Sequence, residues 1–238
     1  AVVEGLRVRG SGTDLGGPDA CVYLEKGATG AQVRDNALSD CAFGIWVHET
    51  QQARITGNRV EGSVEGHRSN RGNGIHLFNA GHLVVRGNHV SGGRDGIYVS
   101  ATEDSLIEEN SMTGTRYGIH YMFSYSNKIR RNIARDNTNG YALMSSHHLH
   151  VEGNTAEGNE ERGLLLRDVQ YCQITGNRLT RNGEGLFMYS TTENVIANNE
   201  ILDNEVGARI WAGSLRNDVR GNAFVGNRVQ IFFVGAED

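Results

Sequence analysis

An apolar residue, two variable residues and an asparagine recur along this chain as VRDN, ITGN, VRGN, IEEN, IRRN, VEGN, ITGN, IANN and VRGN. The asparagines stand at positions 36, 58, 88, 110, 132, 154, 177, 199 and 222, so the interval is 22 or 23 residues with one exception of 30. The long interval is one unit with an insertion at Ser63–Asn70 (SVEGHRSN). A glycine that opens an alternating segment follows most of the asparagines, as in GIWV, GIHL, GIYV, GIHY, GYAL, GLLL, GLFM and GARI. No unit has room for a helix of ordinary length, and the alternation is that of short strands. A unit of this kind cannot bury an apolar face alone and must stack on copies of itself. The expected fold is therefore all-β: a single-stranded right-handed parallel β-helix of about 22 residues per coil and about nine or ten coils. At strand spacing it makes a rod ~45 Å long, a single domain spanning residues 1–238.

The columns of the repeat can be read directly. Three residues before each asparagine comes an aliphatic, from Val33 and Ile55 to Ile196 and Val219; two residues after it comes another, from Leu38 and Val60 to Ile201 and Phe224. Both columns are expected to face the core, as are pairs such as Ile97 and Val99 after the glycine. The asparagines should form a ladder at a corner, each amide bonding the next and the turn backbone. A second asparagine column runs from Asn137 through Asn159, Asn182 and Asn204 to Asn227.

Composition narrows the function classes. The net charge is −5 with both signs interspersed, which argues against nucleic acid as a partner. No run of about 18 apolar residues exists that could cross a bilayer as a helix. The chain begins at Ala1 and ends in VGAED without a segment that would cap a solenoid, so it reads as a processed or excised fragment whose terminal caps lie elsewhere. Cys21, Cys41 and Cys172 form no metal-binding spacing. Cys21 and Cys41 fall in neighbouring units and could pair, but small buried residues are the expected reading for all three.

Alternation also assigns an outward face two and four residues after each glycine. It carries Trp46, His48, His76, Phe78, Tyr98, Phe187, Tyr189 and Trp211, although aromatics are only 7% of the chain. An apolar stripe of this extent reads as a partner surface. None of the outward positions assigned in this way is Asp or Glu, so the paired carboxylates of a sugar-cleaving β-helix are not in evidence. Soft ligands cluster instead. Met122 and Met144 occupy the same outward column in successive coils, and His120 lies two residues from Met122. Thioether with imidazole suits transient copper(I) better than zinc or calcium. The bland reading is adaptable surface packing by Met and His.

Several segments resemble the NosD family: GRDGIYV (Gly93–Val99), RYGIHYMFSYSNKIRRN (Arg116–Asn132), NGYALMSS (Asn139–Ser146), GLLLRDV (Gly163–Val169), EGLFMYS (Glu184–Ser190) and GNAFVGNRVQI (Gly221–Ile231). The resemblance implies a periplasmic, non-enzymatic accessory protein in the maturation of nitrous oxide reductase. It implies three partners: an ABC transporter with membrane and ATPase subunits, a copper chaperone, and the reductase that receives the copper. The alternative is a polysaccharide-binding or polysaccharide-cleaving β-helix resembling pectate lyase, since the repeat by itself is common to such solenoids.

Overall fold

The computed structural model describes residues 1–235, so the end of the VGAED segment lies outside it. The chain winds into a parallel β-solenoid whose coils contribute one strand each to three ten-stranded sheets. One coil shows the plan: Leu106–Glu108 belongs to sheet A, Ser111–Thr113 to sheet B and Tyr117–Met122 to sheet C. Every pairing is parallel and keeps the repeat register, as in Ile107 with Ile129, Met112 with Ala134 and Ile119 with Tyr141. Among the described residues the only helical turn is the 3-10 turn Arg68–Asn70, inside the insertion.

The core is where the columns place it. Val33, Ile55, Ile107, Ile129 and Ile201 are fully buried, as are Ile97 and Val99. Val219, Ile231 and Phe233 continue the inward columns in register and are exposed in this structure.

Three ladders hold the corners. Between sheets A and B, each asparagine amide donates to the next asparagine's Oδ1 and to a carbonyl of the coil behind. Asn110 Nδ2, for example, reaches Asn132 Oδ1 at 3.0 Å and the Val85 carbonyl at 2.9 Å. The second column joins Asn137, Asn159, Asn182, Asn204 and Asn227 between sheets B and C. A third, between C and A, contains Asn127, Asn194 and Asn217. Buried Cys172 sits in that third ladder, its Sγ accepting from the Leu149 amide at 3.2 Å. These contacts satisfy polar groups that burial would otherwise penalise. The residue before the first-ladder asparagine has positive φ, at 65° for Gly57 and 63° for Gly153, which is why the motif so often ends in Gly-Asn.

Cys21 and Cys41 are joined in a disulfide, which corrects the expectation of two small buried thiols. Cys21 lies in the strand Ala20–Leu24, and Cys41 follows Ala37–Ser39 of the next coil. Their Cα atoms are 5.6 Å apart, so the bond staples one coil to its neighbour.

Candidate functional site

The outer face of sheet C is richer in charge than alternation implies. A Cβ built on Gly118 would point inward, meeting Ala134 Cβ at 2.7 Å and the Gly140 carbonyl at 2.6 Å. The glycine and the residue after it therefore both face the core, and the residue before the glycine is turned to the outer face. That column holds Phe43, Asn73, Asp95, Tyr117, Asn139, Arg162 and Glu184. The expectation that the face lacks carboxylates is thereby corrected, because one extra inward residue shifts the alternation by one place.

Asp95 is the centre of this column. It is completely buried, and its two oxygens receive a fork from Arg116, Nε at 2.9 Å and Nη2 at 2.8 Å. His120 Nδ1 lies 2.9 Å from Oδ2, where it must donate to an ionised carboxylate. Burial pushes the Asp95 carboxyl up, but the hydrogen bonds from His120 and Arg116 outweigh it and hold the group below its ordinary range. Further along, Glu184 pairs with Arg162 at 3.0 Å and with Arg209, while Arg162 stacks on Phe187 and Arg209 on Phe232.

His120 is on the outer side of the sheet, as expected, but it is 6% exposed rather than open. Its ring packs between Tyr98 and Tyr117, with centroids at 5.1 and 4.7 Å, and its Nε2 is buried without a hydrogen-bond partner. Met122 and Met144 are direct register partners and both are half-buried, so the structure brings those two together. His120 is paired in register with Ala142 and turned toward Asp95.

The expected partner surface forms two groups. Trp46 stacks on His76 at 4.6 Å, His76 meets Tyr98 at 4.9 Å, and His48 meets Phe78 at 5.5 Å. Burial and the nearby Arg94 guanidinium lower the His76 pKa to about 4. Phe187, Tyr189 and Trp211 form the second group. Buried Ala142 and Leu165 separate the two groups in the central column, beside the methionine pair. Phe78, Tyr189 and Trp211 are exposed; the other five are half-buried.

The insertion lies alongside this face. Arg71 closes it by donating to the carbonyls of Val64, Glu65 and Gly66. Arg68 reaches Thr138 three coils on and Glu160 four coils on. Under it is a cleft of about 560 Å³, lined in part by His67, Arg116, Tyr117, Asn139 and Glu161. Neither Asp95 nor this cleft was found from the sequence. The available signal was the polar, varied column just before the glycine, where a core column would be apolar.

A family model described as "Periplasmic copper-binding protein (NosD)" matches residues 62–238. The chain belongs to the NosD family. A Pseudomonas aeruginosa protein named probable ABC transporter binding protein NosD is 45% identical over 250 residues, covering 99% of this chain and 58% of its own length. A Stutzerimonas stutzeri protein of the same name is 42% identical, covering 99% of this chain and 57% of its own. This NosD-family chain thus spans less than two thirds of those relatives. Among solved structures, the enzymatically active domain of bacteriophage CBA120 tailspike protein 2 superposes with a TM-score of 0.68 at 10% identity, over 85% of this chain and 38% of the other. The periplasmic alginate epimerase AlgG superposes at 0.55 with 16% identity, over 87% and 62%. Those likenesses carry the fold alone.

Proposed function

We propose that this NosD-family chain is part of a periplasmic accessory protein that hands copper(I) to apo nitrous oxide reductase, without itself being an enzyme. Its partners in this reading are an ABC transporter, a copper chaperone and the reductase. The observation that carries the reading is the register pairing of Met122 with Met144 on the outer face of a chain from a family described as copper-binding. Two thioethers from adjacent strands suit a soft ion held long enough to pass on. His120 supports it, with Asp95 on Nδ1 and a free Nε2, the arrangement that commonly orients a metal-binding imidazole. The disulfide fits an oxidising compartment such as the periplasm. The aromatic groups around Trp46 and Trp211 are the proposed contacts with partners.

Anaerobic copper(I) titration against a competing chelator tests the site. Met122→Ala with Met144→Ala should weaken binding by roughly tenfold or more. Unchanged affinity in the double variant would remove this site from the proposal. The polysaccharide reading is less well supported, because Asp95 and Glu184 are each already held by arginines.

A further inference from the structure

The cleft under the insertion has a wall that neither the methionine pair nor the aromatic groups use. The insertion folds back over the column that opens the sheet C strands, and Arg68 pins it there through Thr138 and Glu160. The volume beneath it, about 560 Å³, falls within the roughly 300–1,000 Å³ of small-molecule sites.

Two register partners, Tyr117 and Asn139, lie side by side on the wall. Asn139 is 2% exposed. Its Nδ2 donates to Glu161 at 3.2 Å, and its Oδ1 is buried without a partner. Among the described residues it is the only one on the wall with a buried polar side-chain atom left unmet. A buried acceptor without a donor is costly, and a ligand that brings an O–H removes the cost. Glu161 is a second acceptor, exposed beside it. Burial raises the Tyr117 phenol above its ordinary pKa, so its hydroxyl stays protonated and can donate.

The charges on the wall are balanced with one exception. Arg116 is answered by Asp95, Arg68 by Glu160, and Glu161 by Arg162. Arg71 forms no ion pair among the described residues. Its Nε and Nη2 donate to backbone carbonyls of the insertion, which leaves Nη1 outside these bonds.

We propose that this cleft binds a small carboxylate that also carries hydroxyl groups, the chemistry shared by an acidic sugar at the end of a glycan and by a free hydroxy acid. Arg71 takes the carboxylate, Asn139 and Glu161 accept from hydroxyls, and Tyr117 donates to one. A carboxylate without hydroxyls would leave Asn139 Oδ1 unmet and would face the like charge of Glu161. A neutral sugar would leave Arg71 unpaired. Glu161 is the one carboxylate among the described residues of the wall, so there is no acid and base pair and the site binds without cleaving. The proposal stands apart from the copper reading, since no methionine takes part.

Titration of the full chain, read by saturation-transfer NMR and calorimetry, tests it with four probes. Methyl glucuronoside and gluconate carry both groups, methyl glucoside has hydroxyls alone, and cyclohexanecarboxylate has the carboxylate alone. At least one of the first two should bind saturably and at least roughly tenfold more tightly than either of the last two, because a site built to bond a hydroxyl rejects the analogue that lacks it. Tighter binding of methyl glucuronoside than of gluconate would assign the site to a glycan, and the reverse to a free hydroxy acid. Asn139→Ala and Glu161→Ala should each weaken the favoured probe by roughly tenfold. Glu161 is exposed, so its variant keeps the fold and gives an answer even if Asn139→Ala is unstable. No saturable binding of either hydroxylated carboxylate, equal binding of all four probes, or an unchanged affinity in Glu161→Ala would overturn the proposal.

Discussion

Two tyrosines in the core show how much a single hydroxyl matters. Tyr121 and Tyr141 are neighbours in the same inward region, both completely or almost completely buried. The Tyr141 hydroxyl lies 2.8 Å from the Asn132 carbonyl and 3.0 Å from that of Thr155, while the Tyr121 hydroxyl has no partner. Burial raises both phenols above their ordinary pKa, so both stay neutral. Tyr141→Phe should then cost about 1 kcal/mol, and Tyr121→Phe should be neutral or stabilising by up to about 1 kcal/mol. Denaturant midpoints of the two variants check this, and an equal loss in both would contradict it.

At the scale of the strand, the extra inward residue at the glycine creates the charged column of sheet C. Asp95 has a depressed folded pKa, so its contribution is complete above the ordinary aspartate range near pH 3.9 and fades as pH falls through the folded value. Asp95→Asn leaves the Arg116 fork and the His120 donor without their charge partner and should cost about 3 kcal/mol at neutral pH. Urea unfolding at about pH 7 and about pH 3 should show the gap between wild type and variant shrinking in acid. A gap of constant size would mean that Asp95 acts through packing alone. The same element explains the glycine column: at Gly118 even a methyl group meets the backbone of the next coil at 2.6 Å. The disulfide and the Arg68 tether act on this scale too, each binding a segment outside the regular strands to a fixed coil.

Across the whole molecule, stability is carried from coil to coil, because each coil contacts mainly its neighbours. The ladders make that coupling polar as well as apolar. Asn132 in mid-rod accepts from the Asn110 amides and donates to Asn154 and to the Ile107 carbonyl. Asn132→Ala removes all of these at once and strands buried partners on both sides. We expect a loss of about 3 kcal/mol, from several unmet groups at about 1 kcal/mol or more each. Thermal unfolding with hydrogen exchange would check it, with protection falling in the coils that contain Asn110 and Asn154. Loss confined to the Asn132 turn would show that the ladder is not a coupled unit.

The sequence by itself determined the solenoid, the coil length, the inward columns, the asparagine ladders and the Met122–Met144 pairing. These follow from translation by a constant number of residues, which puts like positions next to each other whatever the side-chain conformations. It also showed the family, through segments such as RYGIHYM. Only the tertiary structure decided the rest. The pairing of Cys21 with Cys41 joins non-equivalent positions of two coils, so no repeat column predicts it. Asp95 reached the outer face through a one-residue shift that simple alternation does not contain. His120 became a buried partner of Asp95 because its rotamer turns toward the preceding coil, and rotamers are set by packing rather than by spacing. The cleft beside Tyr117 and Asn139 needed the insertion to fold back over later coils and to be held there by Arg68. Periodicity places backbones, and the contacts between unlike side chains then decide what the surface can hold.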